Sequence, residues 1–102
     1  MNRGDVYDAA LPAGSHPAVI VTRDRAVPFL RNVCVATVTS TIRGLPTEVP
    51  LGPAHGLARE CVVNCDNLFT VPKRALGRRR GSLGAEDLDR LDRALRVALG
   101  LA

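Results

Sequence analysis

Three short stretches of the chain carry side chains able to handle a proton or a phosphate. In "GSHPAVIVT", Gly14 to Thr22, His16 stands between a serine and a proline at the mouth of an apolar run. Histidine is the residue type best matched to giving or taking a proton near neutral pH, although a lone loop histidine also fits a plain surface position. In "TVTSTIRG" the hydroxyls of Thr37, Thr39, Ser40 and Thr41 crowd ahead of Arg43 and Gly44. Such hydroxyls cap a turn at a strand end, or, beside the Arg43 guanidinium, hold a phosphate by charge-assisted hydrogen bonds. Arg78, Arg79 and Arg80 lie between Gly77 and Gly81 in what reads as a loop. They form either a solvated face or a salt-sensitive clamp on a nucleic-acid backbone. His55, in "GPAHGLA", reads as a loop histidine with no role.

Other chemistries lack their residues. There is no His-x-His, no HExxH and no carboxylate cluster outside the C-terminal segment, so no metal site is expected. Cys34, Cys61 and Cys65 include no pair at redox or zinc-knuckle spacing and read as free thiols of a reducing compartment. A Walker loop and a GxGxxG fingerprint are absent too, and no cofactor is expected.

The elements that would position these residues are mostly strands. A first strand is expected from about Val6, followed by "PAGSHP" as a breaker loop containing His16. "AVIVT" predicts a strand buried on both faces. "NVCVATVTST", Asn32 to Thr41, is the longest strand candidate, with Val33, Val35, Thr37 and Thr39 on one face and Cys34, Ala36, Val38 and Ser40 on the other. "TEVPL" reads as a short edge strand, while "CVVNCD" and "LFTVP" read as two strands broken at Asp66-Asn67. In the tail Leu88, Leu91, Leu95 and Leu99 recur at helical spacing, with acids early and Arg90, Arg93 and Arg96 late, an order that complements a helix dipole. Strands followed by one helix predict a mainly β fold, a small curled sheet or barrel capped by that helix.

A chain of 102 residues fits one domain, residues 1–102, with a core of Val, Leu, Ile and Ala, since Trp is absent and Tyr7, Phe29 and Phe69 are the only aromatics. All but one of the fourteen basic residues are Arg, and the formal net charge is +4. Guanidinium suits bidentate phosphate binding, so an anionic partner is expected. No signal-peptide h-region and no membrane-length apolar run are visible, so a soluble cytoplasmic protein without a membrane partner is expected.

Taken in order, "RGDVY", "G-x-x-P-A-V-I-V-T", "VATVTSTIRGLPTEV", "CVVNCDNLFTVPK" and the final "L..L..AL..ALGL" helix resemble the MazF/PemK family of toxin endoribonucleases over nearly the whole chain. The resemblance implies an SH3-like antiparallel barrel (MazF/CcdB-like), a homodimer, and metal-independent cleavage of single-stranded RNA at short sequence motifs in mRNA, tRNA or rRNA. It also implies a MazE-like antitoxin that lays an acidic, extended segment across the RNA groove. In that family a strand-end threonine and an arginine just before a "P-V-L-V-I" strand act together at the scissile phosphate. Thr39 matches the threonine, and Arg43 matches a position that is often basic. His16 occupies the place of the catalytic arginine, and the preceding "ALPAGSHP" is shorter than usual and lacks a "G-S-E" element.

Transesterification fits this set: a 2'-hydroxyl attacks phosphorus to leave a 2',3'-cyclic phosphate and a 5'-hydroxyl. His16 is then expected as general acid or base and Thr39 as a phosphate ligand, with Arg43 and Arg23 in the electrostatic role. Ser40, Thr41, Arg78, Arg79 and Arg80 complete the expected RNA-binding set. The rival readings are a non-catalytic toxin on the same fold, such as a gyrase-poisoning CcdB type, an RNA binder without activity, and an unrelated small basic barrel.

Overall fold

The structure, a computed structural model, describes residues 1–101. Its strands are β1 (Asp5–Leu11), β2 (Gly14–Ile20), β3 (Asn32–Thr39), β4 (Glu48–Leu51), β5 (Cys61–Pro72) and β6 (Leu76–Ser82). One helix, α1 (Ala85–Leu99), follows, and single 3-10 turns cover Pro53–His55 and Lys73–Ala75. All pairings are antiparallel in one sheet of order β4-β5-β3-β2-β1-β6. The mainly β fold with a C-terminal helix is as expected, in the form of a curled half-barrel.

Side-chain alternation explains why β2 and β3 are central. Val19, Ala36 and Val38 enter an apolar cluster with Val63, Leu83 and Leu91, the last from α1. Ala18, Ile20, Val33 and Val35 enter a second cluster with Val27 and Val71. Successive residues of a strand point to opposite faces, so both faces are covered at Ala18–Ile20, as "AVIVT" predicts, although β2 stops at Ile20 and its first three residues are exposed. The helix packs across β4 and β5 with Leu91 and Ala94 buried. Leu99, at the end of the helical stripe, is exposed instead, and Gly100 in the left-handed region stops the helix with backbone bonds to Arg96 and Val97. Arg3 ties the other end of the chain to the helix through a 2.6 Å pair with Asp92.

Three sequence expectations are corrected here. "CVVNCD" and "LFTVP" form one strand, β5, which at twelve residues exceeds β3. The expected break at Asp66-Asn67 is a bulge: Ala36 pairs Leu68 while Thr37 pairs Asn64, leaving Cys65, Asp66 and Asn67 as extra residues. Side chains stabilise it, because the Thr47 hydroxyl donates to Asp66 (2.6 Å) and Asn64 accepts the Asp66 N–H. His16 lies in β2, opposite Ala9, with the turn confined to Pro12-Ala13. Arg78, Arg79 and Arg80 belong to β6, an edge strand, where charge also discourages further strand pairing. "TEVPL" does form the opposite edge, β4. Among the described residues no helix is long and apolar enough to cross a membrane.

Candidate functional site

A groove of about 470 Å³ opens where the start of β2, the end of β3 and the start of β5 lie side by side. Antiparallel register explains the convergence. Ala18 pairs Thr37, so two residues further along each strand His16 comes level with Thr39; Thr39 in turn pairs Val62 at the start of β5. Period-2 alternation places His16 on the face of Ala18 and Ile20, and Thr39 on the face of Val35 and Thr37, which is the same face of the sheet. Both side chains line the groove, together with Ser40, Asn67, Arg59 and Arg80.

Local hydrogen bonds fix the hydroxyls. Thr39 Oγ1 accepts the Thr41 N–H at 3.1 Å, which sets the oxygen in place and leaves its own hydrogen free to donate. Thr37, buried beneath it, accepts from Asn67 Nδ2 at 2.9 Å, so the β5 bulge delivers a side chain to the groove floor. His16 is exposed at the rim.

The remaining expected residues divide. Arg80 lines the groove with its Nε donating to Asp8 Oδ1 at 2.9 Å, whereas Arg79 reaches the buried Asp5 (3.3 Å). Arg78 is exposed and outside the lining, so the three arginines do not act as one clamp. Arg23 follows β2 at the end remote from His16. Thr41 and Arg43 are exposed in the β3–β4 loop and do not line the groove. There the Arg43, Gly44 and Leu45 N–H groups all point to Glu48 Oε1 at 2.9–3.2 Å, so the loop's own carboxylate fills its backbone anion nest.

His55, given no role from sequence, holds one wall of the groove. Its Nδ1 accepts the Gly52 N–H at 3.1 Å, which puts the ring proton on Nε2 to donate to Asp87 Oδ2 at 2.6 Å. Gly56 and Gly81 let this turn press on β6: a Cβ on Gly56 would sit 1.8 Å from the Arg80 carbonyl oxygen, and one on Gly81 would sit 2.2 Å from that of His55. No local sequence signal links His55 to Asp87, 32 residues away. The His55 hydrogen bond, aided by Arg90, holds the Asp87 carboxyl below the usual range although burial opposes it. A lowered carboxylate pKa contributes stability that is present above the ordinary value of about 4 and is lost as pH falls through the lowered value. The wild-type urea midpoint should therefore fall more steeply below about pH 4 than that of Asp87→Asn, which starts lower at neutral pH. Parallel curves would contradict the linkage.

Cys61 also lines the groove, but burial pushes its thiol up, against the field of Arg59, so it stays protonated and is a poor nucleophile. Cys65 is pushed up to about 11 by burial and by Asp66. Among the described residues no three His, Cys, Asp or Glu side chains cluster as metal ligands would.

The chain as a whole is similar to known proteins. Residues 2–99 match the sequence family described as PemK-like, MazF-like toxin of type II toxin-antitoxin system. Endoribonuclease MazF3 of Mycobacterium tuberculosis is 44% identical over 87 residues, covering 85% of this chain and 84% of that protein. Among solved structures, Mycobacterium tuberculosis toxin MazF-mt6 superposes with a TM-score of 0.91 at 41% identity, over 96% of this chain and 98% of that one. A mycobacterial endoribonuclease in complex with its cognate antitoxin superposes at 0.90 with 33% identity, over 100% and 97%.

Proposed function

Since this chain belongs to the PemK-like, MazF-like toxins of type II toxin–antitoxin systems, a family of endoribonucleases, we propose that its groove cleaves single-stranded RNA by transesterification without a metal ion. The observation that supports this reading is the meeting of His16 and Thr39 in one groove, with a guanidinium in its lining.

The O2'–P bond forms as the P–O5' bond breaks. The 2'-hydroxyl loses a proton and the departing 5'-oxygen gains one. His16 makes one of these transfers as general acid or base, and water in the groove makes the other. Histidine suits this task better than arginine, whose pKa above about 12 keeps it protonated. Thr39 donates its hydroxyl hydrogen to a non-bridging phosphate oxygen, its own oxygen being held by the Thr41 N–H. Ser40 and Arg80 line the path of the RNA backbone.

The same groove is proposed to receive an acidic extended segment of a cognate antitoxin, consistent with the net charge of +4. Two copies of the chain are proposed to form a homodimer, as the family resemblance implies. The reaction is tested with an RNA carrying one 2'-deoxyribose on the 5' side of the mapped cleavage site, incubated in EDTA. Cleavage of the all-ribose strand and sparing of the substituted one is expected. Equal cleavage of both would end the transesterification reading.

A further inference from the structure

Resting on that reading of the groove, we propose that Arg59 is its charge-bearing catalytic residue, the guanidinium that neutralises the phosphate oxygens as the O2'–P bond forms. The requirement is chemical: pentacoordinate phosphorus concentrates negative charge on its non-bridging oxygens, and a neutral hydroxyl from Thr39 covers only part of it. Arg43 and Arg23 lie outside the groove lining, which leaves Arg59 and Arg80 as its two guanidinium side chains.

These two differ in their partners. Arg80 gives its Nε to Asp8, whereas Arg59 has no carboxylate within 4.0 Å among the described residues, and its charge is not already satisfied. Register brings it to the right end of the sheet. Thr39 pairs Val62, so the start of β5 lies beside the end of β3, and Arg59 precedes β5 by two residues at that same end. Burial pushes the thiol of Cys61, another groove residue, up, and the Arg59 field opposes that rise, which is consistent with a guanidinium beside the groove.

The wall that carries Arg59 is also fixed before any RNA arrives. The His55 links to Gly52 and Asp87 and the backbone fit of Gly56 against Arg80 hold the turn from which residues 57–59 emerge. Histidine in place of arginine at position 16 then separates two tasks, proton transfer on β2 and charge neutralisation on the turn before β5.

The test uses the full chain and an RNA oligonucleotide spanning a site first mapped with the wild-type protein on a long single-stranded transcript. Turnover and KM are measured for wild type, Arg59→Ala, Arg59→Lys and, as a control on an exposed helix position, Arg96→Ala. The affinity of each for the fully 2'-deoxy oligonucleotide is measured alongside, with circular dichroism to confirm the fold. Arg59→Ala should lower kcat by about 10² to 10³ fold, the usual loss for one transition-state donor, with little change in affinity for the uncleavable analogue. Arg59→Lys should recover part of that loss, and Arg96→Ala should behave as wild type. Unchanged kcat in a folded Arg59→Ala protein would overturn the proposal, and so would a loss that appears equally in affinity for the deoxy analogue. A wild-type protein that leaves no cyclic-phosphate ends would instead remove the transesterification reading itself, a result distinct from an active wild type with an indifferent Arg59.

Discussion

His16→Ala should reduce RNA cleavage by about 10² to 10⁴ fold, the range for a positioned acid–base group, with the fold unchanged. The side chain is exposed at the rim, so its removal leaves no cavity and strands no buried partner. Loss of rate therefore reports on chemistry. His16→Arg gives a sharper reading, because a guanidinium keeps positive charge and cannot exchange a proton at neutral pH. If the role is proton transfer, His16→Arg stays slow. If position 16 requires only charge, His16→Arg matches or exceeds the wild type, and a folded His16→Ala protein with near-normal rate would remove the residue from the mechanism altogether.

Gly56→Ala is expected to have the largest effect on stability. Its φ of +80° is a conformation L-residues adopt only at a cost, and the added Cβ would meet backbone rather than a flexible side chain, 1.8 Å from the Arg80 oxygen and 2.6 Å from its carbonyl carbon. Left-handed strain and forced separation of two backbones together should cost about 2 to 5 kcal/mol, a fall in Tm of roughly 10 °C or more for a domain of this size. Gly44→Ala is the matched control. Its φ is +71° but nothing lies within 4 Å, so only the conformational cost applies. Thermal unfolding of the two variants should separate them clearly, and equal losses would show that the close approach of the turn to β6 contributes nothing.

Side-chain type and local period made much of this legible. β-branched runs marked β2 and β3, the Leu spacing marked α1, and alternation put Thr39 on the face of Thr37. Proximity of Thr39 to His16 was implied by the family resemblance, and the register that levels them came from the structure. What the sequence hid was of two kinds. Breaker residues misdirected the reading of His16 and of Arg78 to Arg80, because Gly and Pro flank these segments yet both pair as strands, one next to a short turn and one at the sheet edge, where unpaired backbone groups can face water. Long-range partners left no pattern at all. His55 meets Asp87 across 32 residues, and Arg59 joins a groove whose other members include residues of β2, β3 and β6.

The reaction proposed for the groove shared by His16 and Thr39 is a ribose-dependent phosphoryl transfer. End-group analysis of single-stranded RNA cut by the purified protein in EDTA tests it most directly. Termini of 2',3'-cyclic phosphate and 5'-hydroxyl are expected, accumulating far more slowly with His16→Ala. Termini of 3'-hydroxyl and 5'-phosphate, or cleavage that stops when EDTA is added, would contradict it.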